Sequence, residues 1–131
     1  MTRRLSLLLL VASTAAAAGI YDQPWSLVEP GDRSEVRKEF PAAITQIDGQ
    51  SVRDTRRPDA ITPGKHSITI RFETGRVNQS ESEATRVVEI DLAPCTRYRV
   101  VAQRQQGTKW DPQVYPEPIS ECARKFGKPA S

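Results

Sequence analysis

Apolar and polar residues alternate along three runs between Ile61 and Arg104, the period of a strand with one face buried. In the first run, Lys65 to Glu73, one face holds His66, Ile68, Ile70 and Phe72 and the other Ser67, Thr69 and Arg71. In the second, Val88, Ile90 and Leu92 face inward and Glu89 and Asp91 outward; in the third, Tyr98, Val100 and Ala102 face inward and Arg97 and Arg99 outward. Pro63-Gly64 opens the first run, and Ala93-Pro94-Cys95 joins the other two, which are expected to pair as a hairpin. That register sets Glu89 opposite Arg99 and Asp91 opposite Arg97, cross-strand pairs worth about 0.2–1 kcal/mol each.

The flanking segments carry weaker patterns. Ala42 to Val52 reads as a hairpin with Asp48-Gly49 at its turn, a pair suited to the positive φ angles of a type I′ turn. Ser34 to Phe40 alternates through Val36, Lys38 and Phe40 and is expected as an edge strand, although Ser34 is also a fair helix cap. Tyr21 to Pro30 is a proline-punctuated lead-in whose Trp25 and Leu27 tuck against the sheet, and the polar stretch Thr74 to Glu83 is expected to be a mobile loop. Trp110 to Cys122 contains Pro112, Pro116 and Pro118, which restrict it to an edge strand. Folding it back on Val100 to Gln106 around Thr108-Lys109 brings Cys122 level with Cys95, Ile119 beside Tyr98 and Tyr115 beside Ala102. The expected fold is all-β, a small antiparallel β-sandwich of six or seven short strands spanning residues 41–126. A lead-in with an edge strand occupies residues 19–40, and a disordered tail residues 127–131.

Composition changes this picture at the N-terminus. Arg3 and Arg4, the apolar run Leu5 to Ala12 and the small residues Ala15 to Ala18 make residues 1–18 an expected signal peptide cut after Ala18. Its apolar part is shorter than the roughly 20 residues that span a bilayer. The 19 Lys and Arg against 16 Asp and Glu become 17 against 16 without Arg3 and Arg4, a net charge of +1. So balanced a chain gives no footprint for nucleic acid. Cys95 and Cys122, an even pair in an exported chain, are expected to form a disulfide.

Candidate chemistry is sparse. His66 is the one histidine, so a hydrolase or metal enzyme has to use it; two cysteines and one histidine fall short of a four-ligand zinc site without carboxylates. Neither a nucleophile elbow nor a Gly-rich phosphate loop is present. Arg97 and Arg99 are the candidate ligand-binding cations, and Trp110 a candidate sugar-stacking ring. The denser loop cluster Arg53, Arg56 and Arg57 is blunted by Asp54 and Asp59.

Ile47-Asp48-Gly49, then Pro63-Gly64-Lys65-His66 before an Ile-Thr-Ile strand, then Ile90-Asp91-Leu92 make Ile44 to Leu92 resemble the PEGA-like β modules of exported bacterial proteins. Pro-Gly-Lys-His stands where the name-giving tetrapeptide falls. The resemblance implies an immunoglobulin- or transthyretin-like sandwich. Ala93-Pro94-Cys95-Thr96-Arg97-Tyr98, Trp110-x-Pro112 and Glu117-Pro118-Ile119-x-x-Cys122 look like those of uncharacterised small proteobacterial envelope proteins. The expectation is a periplasmic or secreted monomer without catalytic residues, metal or cofactor, which binds an envelope protein or an anionic glycan and spans no membrane after cleavage. Two rivals are a small hydrolase or metal-dependent enzyme built on His66, and an enzyme inhibitor acting through loop 74–83.

Overall fold

The computed structural model describes residues 19–52 and 58–127. The expected signal peptide, the arginines Arg53, Arg56 and Arg57 and tail residues 128–131 lie outside the described residues. The alternating run that begins after Cys95 forms the longest-paired strand, β7 (Thr96–Arg104), and one sheet is built around it. One flank of β7 pairs along its whole length with β8 (Trp110–Pro118). The other is shared: β1 (Ser26–Pro30) runs parallel to Thr96–Val100, and β2 (Glu39–Pro41) runs antiparallel to Val101–Gln103. Where the two meet, Gly31 passes so close that an added Cβ would lie 2.6 Å from Val101 Cγ1, so only glycine fits.

The second sheet has the order β4-β3-β5-β6, with β3 Ala43–Ile47, β4 Gln50–Ser51, β5 Gly64–Arg71 and β6 Thr85–Leu92. Asp48 and Gly49 form the expected two-residue turn, with φ of 51° and 78°. The sheets pack face to face over Val28, Ile68, Ile70, Leu92, Val100 and Trp110. The molecule is a β-sandwich with eight strands among the described residues rather than six or seven, and with short helices α1 (Glu81–Ala84) and α2 (Ser120–Phe126). The lead-in supplies β1, a strand of the sandwich itself.

The expected β6–β7 hairpin is not formed. β6 pairs with β5, and the chain then crosses to the other sheet through Ala93-Pro94-Cys95, with Cys95 at φ 52°. The two apolar faces meet across the core instead, where Ile90 and Leu92 of β6 join Tyr98, Val100 and Ala102 of β7 in one cluster. Glu89 therefore lies opposite Ser67 and Asp91 opposite Lys65.

The β7–β8 hairpin forms three residues out of the expected register, with Tyr98 opposite Pro116 and Ala102 opposite Pro112. An odd slip exchanges the faces of a strand, so Trp110 and Val114 enter the core and Tyr115 turns outward. The prolines favour this register. Ile119 N donates to Cys95 O at 2.9 Å and Gln105 N to Lys109 O at 2.9 Å, so odd-numbered residues of this segment bond toward β7. Pro112, Pro116 and Pro118 fall on the even positions, where a missing N–H faces away from the ladder.

Cys122 lies on α2, past the end of β8, yet the Cys95–Cys122 disulfide is formed with Cα atoms 5.2 Å apart. The bond pins α2 over a second, smaller core of Trp25, Leu27, Ile119 and the two cysteines. Ser34 to Lys38 is neither edge strand nor helix: Ser34 and Glu39 exchange both backbone hydrogen bonds at 2.9 Å and close a tight loop with Val36 exposed at its tip. Phe40, the last residue of that stretch, and Pro41 lie within β2.

Loop 74–83 is also tied down where mobility was expected. Gln79 accepts from Thr74 N at 3.0 Å and donates to Phe72 O at 3.2 Å, and Ser80 and Glu83 form a capping box on α1.

Candidate anion-binding site

Arg97 and Arg99 lie on the outer face of β7, in a groove of about 520 Å³ with Leu27 and Ile119. Both are already neutralised. Arg97 Nε lies 3.2 Å from Glu29 Oε1, and Arg99 meets Glu117 at 3.1 Å and Asp32 at 3.3 Å. Burial opposes the charge on Arg99, but Glu117, Glu29 and Asp32 outweigh it and hold its pKa above the usual guanidinium value. Opposite charges across the ladder are thus present as the sequence suggested, with β1 and β8 supplying the acids instead of β6.

Trp110 is 1% exposed and offers no surface for a sugar ring. Its Nε1 donates to Glu83 O at 2.8 Å. Phe72 meets it edge-on at 5.6 Å and stacks in turn on Phe40 at 5.8 Å. Trp110 is therefore the buried end of an aromatic row whose outer end is Phe40.

At that outer end the structure gathers cations that sequence reasoning passed over. The Arg33 guanidinium lies 5.1 Å and the Arg104 guanidinium 6.0 Å from the Phe40 ring centre. A cup of about 330 Å³ is lined by Arg33, Lys38 and Arg104, with Glu35, Phe40 and Gln105. Three cations thus face one carboxylate, and among the described residues Glu35 pairs only with Arg33, at 3.1 Å. The loop between β1 and β2 positions two of them. Lys38 adopts φ 55° to close that loop, and its carbonyl accepts from Arg104 N at 2.8 Å. Tyr115 OH reaches across to donate to the buried Glu39 carboxylate at 2.5 Å. That bond, followed by burial, raises the Tyr115 phenol above its ordinary pKa and holds the loop's return strand in place. The only sequence signal was the density of Arg33, Arg37 and Lys38 beside Phe40, masked by Glu35 and Glu39; Arg104 is distant in the chain.

His66 is half of a turn clamp. Its Nδ1 lies 2.5 Å from Asp48 Oδ2 and its Nε2 2.7 Å from Thr62 O, while Ser67 N donates to Asp48 Oδ1 at 2.9 Å. Ser67 N–H, then His66, hold the Asp48 carboxyl below its usual pKa. A titratable partner is thus within reach, as catalysis requires, but both ring nitrogens face protein oxygens and neither is aimed at a substrate. Among the described residues, no cluster of three or more His, Cys, Asp and Glu could hold a metal ion, and no helix is long and apolar enough to cross a membrane. Comparison with family models, curated proteins and solved structures finds no match for this chain, so its function is argued from geometry.

Proposed function

We propose that this protein is a non-catalytic binding module, exported to the periplasm or beyond, that captures an anionic group of an envelope glycan in the Phe40 cup and acts as a monomer. The observation that carries this reading is the ratio of three cations to one carboxylate around Phe40. Planar guanidinium forks match carboxylate or phosphate oxygens two at a time, and the Phe40 face keeps Arg33 and Arg104 stacked and ordered. The leader-like N-terminus and the disulfide support an oxidising compartment. The neutralised pair Arg97 and Arg99 is set aside as a glycan site in favour of Arg33, Lys38 and Arg104.

Calorimetry tests the reading with a polyuronate, a phosphorylated glycan and neutral dextran as ligands. An acidic glycan is expected to bind, more weakly at high salt, and dextran to fail. Because a charge-assisted hydrogen bond contributes about 1.5–3 kcal/mol, Arg104→Gln is expected to weaken binding by about tenfold or more. Equal binding of dextran, or an Arg104→Gln protein that binds normally, rules the cup out.

A further inference from the structure

β6 is the outer strand of its sheet, paired among the described residues only with β5. Phe72 N donates to Ala84 O at 2.9 Å, so even-numbered residues of this segment bond toward β5. Asp91 O, which instead meets the Tyr98 hydroxyl at 3.4 Å, agrees with that parity. The N–H and C=O groups of Val87 and Glu89 therefore point away from the sheet, and among the described residues they meet no partner. Val87 is 63% exposed, and Glu89 and Asp91 are exposed beside it.

The other edges are closed to strand addition or short. β8 turns three prolines outward, β4 is two residues long, and β1 and β2 share one flank of β7. The eight residues of β6 contain no proline, and their pairing with β5 has no bulge. Unpaired backbone of this kind is a template for another strand.

We propose that β6 accepts a basic, extended segment of a partner protein as an added antiparallel strand. The charge pattern selects the occupant. Side chains directly opposite Asp91, Glu89 and Val87 share the outer face, so the incoming strand reads basic-x-basic-x-apolar from its N-terminus. A second copy of this chain fits poorly, because self-pairing gathers both copies' Glu89 and Asp91 on one face. The proposal is independent of the Phe40 cup, and Arg104→Gln is expected to leave it unchanged.

The test uses the full chain and a synthetic peptide with the core Lys-Thr-Lys-Thr-Val, followed by amide hydrogen exchange and calorimetry. The Val87 and Glu89 amides are expected to exchange freely in the protein alone and to become protected with peptide. A Glu-Thr-Glu-Thr-Val peptide is expected to bind about tenfold more weakly, two attractive cross-strand pairs having become repulsive. The double variant Glu89→Lys with Asp91→Lys is expected to reverse that order. Val87→Pro removes an outward N–H without touching the β5 ladder and is expected to abolish binding. If that variant fails to fold, N-methylating alternate amides of the peptide removes the same bonds from the other side. Four results overturn the proposal: protected Val87 and Glu89 amides in the dilute free protein, protection that rises with protein concentration alone, equal affinity for both peptides, or undiminished binding of the N-methylated peptide.

Discussion

Replacing the disulfide by Cys95→Ala with Cys122→Ala is expected to destabilise the protein and to do so unevenly. The two cysteines are 27 residues apart. In the chain-entropy picture, freeing a loop of that length costs about 3.5 kcal/mol at 25 °C, a large share of the roughly 5–15 kcal/mol that holds a small domain folded. Alanine is chosen over serine because both positions are buried, at 2% and 0% exposure, and an unpartnered hydroxyl would add its own penalty. The structure also provides two reporters. Trp25 sits in the small core under α2, with Phe126 edge-on at 6.0 Å, whereas Trp110 belongs to the core between the sheets. Urea unfolding followed by fluorescence in Trp25→Phe and Trp110→Phe backgrounds therefore reads the two regions separately. The expected result is a midpoint lowered by about 1–3 M, with the Trp25 signal lost before the Trp110 signal. A loss below about 0.5 kcal/mol, or Trp110 melting first, would refute the assignment of the disulfide as the element holding α2.

Three further outcomes follow from other contacts. Gly31→Ala forces a methyl group against the buried Val101 and is expected to cost about 1–3 kcal/mol in urea unfolding; a neutral result would mean that β1 and β2 separate freely. The depressed Asp48 pKa contributes stability above the ordinary carboxylate range that is lost as pH falls through the folded value. Asp48→Asn, which keeps the left-handed turn, is therefore expected to flatten the acid limb of the melting-temperature profile, and an unchanged limb counts against the clamp. His66→Gln lies at the same turn clamp, away from the cup, and is expected to leave glycan affinity within about twofold; loss of a measured activity in a folded His66→Gln protein would revive catalysis.

The strands from Gly64 to Arg104 were legible because alternation records a buried face directly. What alternation does not record is which sheet a strand joins, and a short turn between β6 and β7 made a hairpin the obvious but incorrect pairing. The prolines of β8 announced an edge strand, while its register depended on whether Trp110 or Tyr115 entered the core. The staple was legible from two cysteines alone, though a helical turn rather than a strand pair delivers Cys122 to Cys95. The cationic cup was the least legible part, since Arg104 comes from the end of β7 and Arg33 from a loop that only tertiary pairing closes.

The shared flank of β7 sets an order of assembly. Ser26 pairs with Thr96, a parallel partner 70 positions further along the chain. A chain emerging from its N-terminus holds β1 and β2 with no more than the single Ser26–Ile61 and Ser34–Glu39 bridges until β7 appears. The β3 to β6 sheet, whose strands follow one another closely along the chain, has all its backbone partners as soon as Leu92 is out. Closing such distant contacts is slow because the loop entropy is lost before they form. The last third of the chain thus decides when the core closes: until it arrives, Ile68, Ile70 and Leu92 have no second sheet to bury them. A chain of this design can close its sandwich only once β7 has been delivered.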